Sequence, residues 1–331
     1  MALSMAVRIH QTGGPEELKF EAIGVNAPGP DQVLIRHKAI GLNFTDLHHR
    51  TGRYPGPGLP MVIGMEGAGV VEAVGANVTE FKSGDRVAYG GASPKLSPGS
   101  YCELRVMDPK WLVKIPDWLD FETAAAVILK GLTAQYLLRG AYRVQKGQTI
   151  LIHAVAGGVG QLMSQWAKHL GATVIGTTTS PDKVETALAN GCDHVLVSTQ
   201  EDVVARVKEL TGGEGVPVVY DSVGAATFET TLACLRPRGM AVCFGTASGP
   251  VPPLEIFRLN RMGSLYLTGA GLSDYIHIRS ELLERAADLF DVLKSGAVKV
   301  SIHQRYRLAD VAQAHIDLAS RKTIGSSIIL P

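Results

Sequence analysis

QTILIHAVAGGVGQLMSQWAKHLGATVIGTTTSPDK, residues Gln148 to Lys183, is the stretch on which the reading of the whole chain turns. Thr149 to Val155 is a short apolar run bounded by Gly147 and by Gly157-Gly158, the pattern of a strand buried in a parallel sheet. Gly157, Gly158 and Gly160 then make a sharp turn. From Val159 onward Leu162, Met163, Trp166 and Leu170 recur at helical spacing, and Gly171 stands where a left-handed C′ residue ends a helix. A second apolar run, Thr173 to Thr179, follows at once.

Strand, glycine turn, helix and strand within roughly thirty residues can hold a dinucleotide pyrophosphate on a helix N-terminus. The glycines let the backbone approach the phosphates, and the N–H groups and helix dipole attract them. From Ala154 to Gly160 the pattern is A-x-x-G-x-x-G, which also describes a tight turn between two core elements. Cofactor choice is written at the end of the second strand. An NAD site places Asp or Glu about twenty residues past the glycines, on the ribose hydroxyls. Here Thr179, Ser180 and Lys183 occupy that region, and a hydroxyl with a cation suits the 2′-phosphate of NADPH. The competing account is that Ser180-Pro181 caps the next helix and Lys183 is a solvated side chain.

The 331 residues suit two domains, and 46 % apolar content can fill two cores. Net charge is +1 and the 32 Lys and Arg are scattered, so nucleic acid is not the expected partner. Cys102, Cys192, Cys234 and Cys243 form no C-x-x-C pair, as in a reducing compartment. Met1 to His10 has no signal-peptide core and no apolar run reaches membrane-spanning length, so a cytoplasmic protein is expected.

The first third reads as short strands punctuated by Gly and Pro, a β barrel or sandwich: Ala6 to His10, Leu18 to Ala22, Val33 to Ile40, Gly67 to Val74, Arg86 to Tyr89, Tyr101 to Val106 and Leu112 to Lys114. Two helices, Phe121 to Leu129 and Leu132 to Leu138, are expected to break at Gly131. Past the dinucleotide unit, strand and helix alternate as in a doubly wound parallel sheet. A helix over Ser280 to Ser295, a helix over Ala309 to Ser320 and a strand over Ser326 to Leu330 close the chain. The last thirty residues are expected to return to the N-terminal domain. Trp111, Trp118 and Trp166 read as packing residues and His153 as a satisfied core histidine.

Several stretches match one family in order: Gly41-Leu42-Asn43-Phe44-Thr45-Asp46, Gly52-Arg53-Tyr54-Pro55, Lys130-Gly131-Leu132-Thr133-Ala134, Ala154 to Gly160, and Tyr220-Asp221-Ser222-Val223-Gly224. Over its whole length the chain resembles quinone oxidoreductases of the zeta-crystallin type, in the zinc-free branch of the medium-chain dehydrogenase/reductase superfamily. The resemblance implies an α/β protein with a GroES-like β-rich catalytic domain at 1–126 and 301–331, and a Rossmann domain with a doubly wound parallel sheet at 127–300. It further implies a cleft between them and a homodimer paired along Ser264 to Thr268. The implied activity is reduction of a quinone directly by NADPH, without zinc or flavin. Reduction of α,β-unsaturated carbonyls or enoyl thioesters is the alternative, and a crystallin-like structural role or RNA binding is the reading from another class.

By the same resemblance Asn43 and Thr133 hold the nicotinamide end, and Gly158 and Val159 face the pyrophosphate. Thr179, Ser180 and Lys183 take the 2′-phosphate, Ser222, Phe244, Gly245 and Thr246 line the ribose side, and Arg321 is a further phosphate contact. Tyr54 flanks the quinone. Family members often carry Tyr where this chain has Ser198, against the adenosine phosphate, and some carry Tyr in place of His48. The superfamily's zinc enzymes have Cys and His where this chain has Asn43 and Met65, and an amide with a neutral thioether cannot complete a tetrahedral zinc set. No metal is expected. Thr45 and His48 have the spacing of a hydroxyl–imidazole proton relay. Their other reading is a helix cap at Thr45 or Asp46 followed by surface histidines.

Overall fold

The strand that begins at Thr149 ends at Ile152, short of the expected Val155, because Ala154 turns to a left-handed φ of 53° and leaves the extended path. It lies in the middle of a six-stranded sheet. In spatial order the strands are His194–Val197, Thr173–Thr178, Thr149–Ile152, Val216–Asp221, Leu235–Cys243 and Tyr266–Gly269, all parallel. Numbered along the chain that order is 3-2-1-4-5-6, so the sheet reverses direction of growth between Thr149–Ile152 and Val216–Asp221. Every residue of Val216–Asp221 is buried, as expected of a parallel strand covered on both faces. Leu151, Ile175, Val219, Phe228, Leu232 and Ala241 belong to the core that forms on it.

The structure, a computed structural model, describes residues 2–91, 99–320 and 323–331. It comprises two compact units. The sheet just described belongs to the second, Thr133–Tyr275 with Asp288–Lys299. The first consists of the chain up to Leu132, Ile276–Ala287, and the chain from Val300.

In the first unit a seven-stranded sheet runs Ile302–Arg307, Ser326–Leu330, Val33–Gly41, Glu66–Val74, Arg86–Gly90 and Val113–Lys114, with Leu104–Met107 also paired to Val33–Gly41. A smaller sheet joins Lys19–Val25, Ala2–Ile9 and Met61–Val62. The C-terminus does return here: Ile328 pairs with Gly41, Ile329 with Ile40, and the Leu42 N–H donates to Ser327 O at 3.1 Å. Val311, Ala314 and Leu318 of the helix Val311–Ala319 pack with Leu47, Ile40 and Tyr101 in one core. The strand Ile302–Arg307 was not expected from sequence. It alternates half-buried and exposed residues, but only Ile302 and Tyr306 are apolar enough to mark its inner face.

Two expectations are corrected. Phe121–Tyr136 is one helix that passes through Gly131, not two. A mid-helix glycine costs only about 1 kcal/mol, and Val127, Ile128, Leu132 and Ala134, all buried, outweigh it. Trp118 is 45 % exposed and is not a packing residue, whereas Trp111 and Trp166 are buried. Among the described residues no helix is long and apolar enough to cross a membrane.

Candidate active site

In the second unit the predicted nucleotide-binding residues gather at the carboxyl ends of the parallel strands, around the point where the strand order reverses. Ala154 O accepts the Gly157 N–H at 3.0 Å and closes the turn. A Cβ on Gly160 would sit 2.7 Å from Ala154 O and from the Val155 backbone, so only glycine permits this approach. Gly157 caps the helix Gly158–His169 without a side chain, which leaves the first-turn N–H groups of Gly158 and Val159 to water or an anion. Gly171, with φ of 82°, ends that helix as the sequence indicates.

Thr179 lies exposed just past its strand, and its carbonyl accepts the Thr199 hydroxyl at 3.1 Å. Ser198, also exposed, donates its hydroxyl to Thr178 O at 3.2 Å. Ser180 is half-buried and donates to the Asp182 carboxylate, and Lys183 is half-buried at the end of the turn Pro181–Lys183. The candidate phosphate cluster therefore carries an acid beside its cation.

Ser222 and Phe244–Thr246 follow adjacent strands. A Cβ on Gly245 would meet Ser222 O at 2.6 Å, and the Phe244 N–H donates to Asp221 O at 2.9 Å. What fixes this loop pair is Asp221, which the motif contains but sequence reasoning gave no role. Fully buried, its carboxylate accepts Val223 N–H (2.7 Å), Gly224 N–H (3.0 Å), Thr227 Oγ1 (2.8 Å) and Thr231 Oγ1 (2.7 Å). His153 is only half satisfied: Nδ1 meets Thr177 Oγ1 at 2.9 Å, while buried Nε2 has no hydrogen-bond partner among the described residues. Thr133 is buried in the helix Phe121–Tyr136. Arg321 lies outside the described residues.

In the first unit Asn43 is the N-cap of the helix Phe44–Arg50, which carries Thr45 and His48. Asn43 Nδ2 donates to Glu66 Oε2 at 2.8 Å. Lys130 Nζ approaches the same oxygen at 3.1 Å, and the Leu129 N–H donates to Glu66 Oε1 at 2.7 Å. Because an ionised Glu66 only accepts, the Asn43 amide must turn its NH₂ inward. Asp46 does take part in the cap, accepting the Asn43 N–H at 2.9 Å. It also accepts the Tyr101 hydroxyl at 2.8 Å.

Thr45 and His48 are half-buried, and the His48 ring lies 4.8 Å from that of partly exposed Tyr54. His49 is buried, against the surface reading, with no hydrogen-bond partner for Nδ1 among the described residues and its ring 5.9 Å from that of Tyr54. Burial lowers the affinity of both histidines for a proton, and Arg53 adds to the effect on His48. The structure thus brings Asn43, Thr45, His48 and Tyr54 onto one short segment, and sequence reasoning missed Lys130 and Tyr101 as their supports. A signal existed: Lys130 interrupts an apolar helix and Glu66 opens a strand whose first residues are apolar and buried, and a charge in such a place needs a partner.

Two family models cover these units: the alcohol dehydrogenase GroES-like domain at 29–117 and the zinc-binding dehydrogenase model at 158–290. Together they define a two-domain oxidoreductase class. A quinone oxidoreductase of Pseudomonas aeruginosa is 50 % identical over 96 % of this chain and 97 % of its own length. A 2-haloacrylate reductase of a Burkholderia species is 44 % identical over 99 % of both. The crystal structure of Escherichia coli quinone oxidoreductase complexed with NADPH superposes with a TM-score of 0.95 at 42 % identity, over 99 % of this chain and 100 % of that one. The chain belongs to the quinone oxidoreductase family.

Proposed function

We propose that the protein is an NADPH-dependent quinone reductase that passes hydride directly to its acceptor without a metal. The observation that carries this reading is the uncapped helix N-terminus behind the Ala154–Gly160 turn, at the reversal point of a 3-2-1-4-5-6 sheet, in a chain that matches quinone oxidoreductases along its whole length. The turn fits the coenzyme: the space a Cβ on Gly160 would fill is taken by backbone, and no side chain caps the first-turn N–H groups that would meet a pyrophosphate. Bound NADPH supplies the hydride. Gly158 and Val159 hold its pyrophosphate, Ser180 and Lys183 its 2′-phosphate, and the Ser222 and Phe244–Thr246 loops, braced by Asp221, its ribose side. Asn43 and Thr133 receive the nicotinamide end. Tyr54 offers a stacking face to the quinone, and the Thr45 hydroxyl with the His48 imidazole delivers the proton that completes the hydroquinone.

The donor set does not fit zinc. Glu66 is already neutralised by Lys130, Asn43 turns an NH₂ toward it, and a divalent cation there would face the ammonium. A quinone is electron-poor enough to accept hydride without a Lewis acid, whereas alcohol oxidation is not helped by this site. A second reading, reduction of an activated C=C bond, is favoured by the 44 % identity to a 2-haloacrylate reductase.

The same proposal includes a homodimer. Tyr266–Gly269 is the outer strand of the six-stranded sheet and exposes Tyr266 and Leu267, as an edge awaiting a partner does. The four cysteines are unpaired, in keeping with a cytoplasmic setting. Steady-state turnover with NADPH and NADH against 1,4-benzoquinone, 9,10-phenanthrenequinone, 2-alkenals and 2-chloroacrylate, with and without EDTA, tests the chemistry. Quinone reduction by NADPH that survives EDTA is expected. Activity lost to the chelator and restored by zinc sinks the metal-free mechanism, and light scattering at twice the 35.2 kDa chain mass tests the dimer.

A further inference from the structure

Four side chains beneath Asn43 form a hydrogen-bonded chain that the reaction does not touch. Tyr101 and His315 are fully buried, Asp46 is fully buried, and Arg50 is nearly so. Arg50 Nη1 lies 3.3 Å from His315 Nδ1, His315 Nε2 lies 3.1 Å from the Tyr101 hydroxyl, and that hydroxyl donates to Asp46 Oδ2 at 2.8 Å. The direction of every bond follows from one fact: a guanidinium has donors only. His315 Nδ1 must therefore accept, which places the ring proton on Nε2. Nε2–H donates to the Tyr101 oxygen, and the single phenolic proton is left for Asp46. The chain runs one way, from a cation to a carboxylate, and the carboxylate in turn accepts the Asn43 backbone N–H.

We infer that His315 and Tyr101 are positioning residues for the site: acting through Asp46, they favour its charged, hydrogen-bond-accepting carboxylate and so fix the Asn43 peptide from which the amide reaches Glu66. The inference rests on the reading of Asn43 as a site residue. Asp46 needs that help. Burial is the largest influence and raises its carboxyl, the Tyr101 hydroxyl, the Asn43 N–H and the Lys130 charge lower it, the Glu66 charge raises it again, and together they leave it at about 7. On its own helix His49 and Arg50 lie one turn away, and His315, held neutral at about 3 by burial and by Arg50, adds no charge of its own. Asp46 Oδ1 has no hydrogen-bond partner among the described residues, so every hydrogen bond to the carboxylate there falls on Oδ2. Above the transition Asp46 is charged and grips Asn43 by a charge-assisted bond; below it the grip weakens.

The test reads the Asn43 amide resonance and the histidine ring nitrogens by ¹⁵N NMR, alongside the pH dependence of kcat/KM. In the parent, the Asn43 amide should titrate near pH 7 and His315 should be a neutral Nε2–H ring throughout. Tyr101→Phe and His315→Leu should raise the amide midpoint by about one pH unit, with the acid limb of kcat/KM moving by the same amount. His315→Gln, which restores one acceptor and one donor, should return both toward the parent. Midpoints unmoved in Tyr101→Phe and His315→Leu, or an Nδ1–H ring at His315, overturn the inference. A parent that does not reduce quinones sinks the functional reading instead, while the amide titration still decides the chain.

Discussion

Lys130 Nζ and Glu66 Oε2 lie 3.1 Å apart with both side chains withdrawn from water, and Asn43 Nδ2 reaches the same oxygen. Each charge is tolerable only because the other is there.

Removal of the cation should therefore harm more than removal of the pair. Lys130→Met leaves Glu66 uncompensated and is expected to lower folding stability by roughly 3–5 kcal/mol. Lys130→Met with Glu66→Gln should recover a large part of that loss, since a neutral amide still meets the Leu129 N–H. Urea denaturation of both variants checks it. Additive losses would show the two side chains to be uncoupled.

The buried titratable groups set opposing pH limits. Burial depresses His37 to about 4 and His315 to about 3 from 6.5, so the unfolded chain takes up protons that the folded one refuses. Their contribution is present above pH 6.5 and lost as the pH falls toward 4 and then 3. Asp46 is raised from 3.8 to about 7, so its contribution is full below 3.8 and lost as the pH rises through about 7. At about 1.4 kcal/mol per pH unit per group, the two histidines outweigh the one carboxyl on the acid side, and of these three groups mainly the carboxyl still titrates above pH 6.5. Stability is expected to peak near pH 6.5 to 7. Asp46→Asn, which can still accept from Tyr101 and Asn43, should be more stable than the parent at pH 8. Thermal midpoints across pH that fall monotonically from acid to alkaline would contradict this balance.

Asp221 offers a test of how the proposed nucleotide-binding loops are held. Asp221→Ala removes the acceptor shared by two N–H groups and two hydroxyls, those of Gly224 and Thr231 being buried, and should cost roughly 3 kcal/mol. Asp221→Asn keeps one accepting oxygen and loses less. In both, NADPH affinity should fall together with stability, measured by cofactor fluorescence and urea denaturation. Unchanged affinity in a folded Asp221→Asn would separate the loop pair from cofactor binding.

Local chemistry made part of this structure legible. The glycine turn, its helix and the parallel strands depend on contiguous residues, and Thr149–Ile152, Gly158–His169 and Thr173–Thr178 lie close to where the sequence puts them. The supports of Asn43 were not legible because folding assembles them from afar: Tyr101 meets a histidine 214 positions away, and Lys130 meets a glutamate 64 positions away. His153 shows the same limit. Its burial follows from its place at a strand end, but the orphaned Nε2 is a product of packing that no spacing encodes.

The proposed function makes coenzyme choice depend on Ser180, Asp182 and Lys183. Lys183 and Ser180 suit a 2′-phosphate, yet Ser180 spends its hydroxyl on Asp182, whose charge opposes the same phosphate. Asp182→Asn removes that charge and loosens the hydroxyl, so the Kd for NADPH should fall several-fold with NADH little changed. Lys183→Glu places a second acid there and should raise the Kd for NADPH by roughly ten- to hundredfold, about 1.4 to 2.7 kcal/mol, again sparing NADH, which has no phosphate at that position. Salt separates charge from shape: the NADPH advantage of the parent should shrink as ionic strength rises, and that of Lys183→Glu should not. If Asp182→Asn and Lys183→Glu move NADPH and NADH binding in parallel, the cluster shapes the loop and does not read the phosphate.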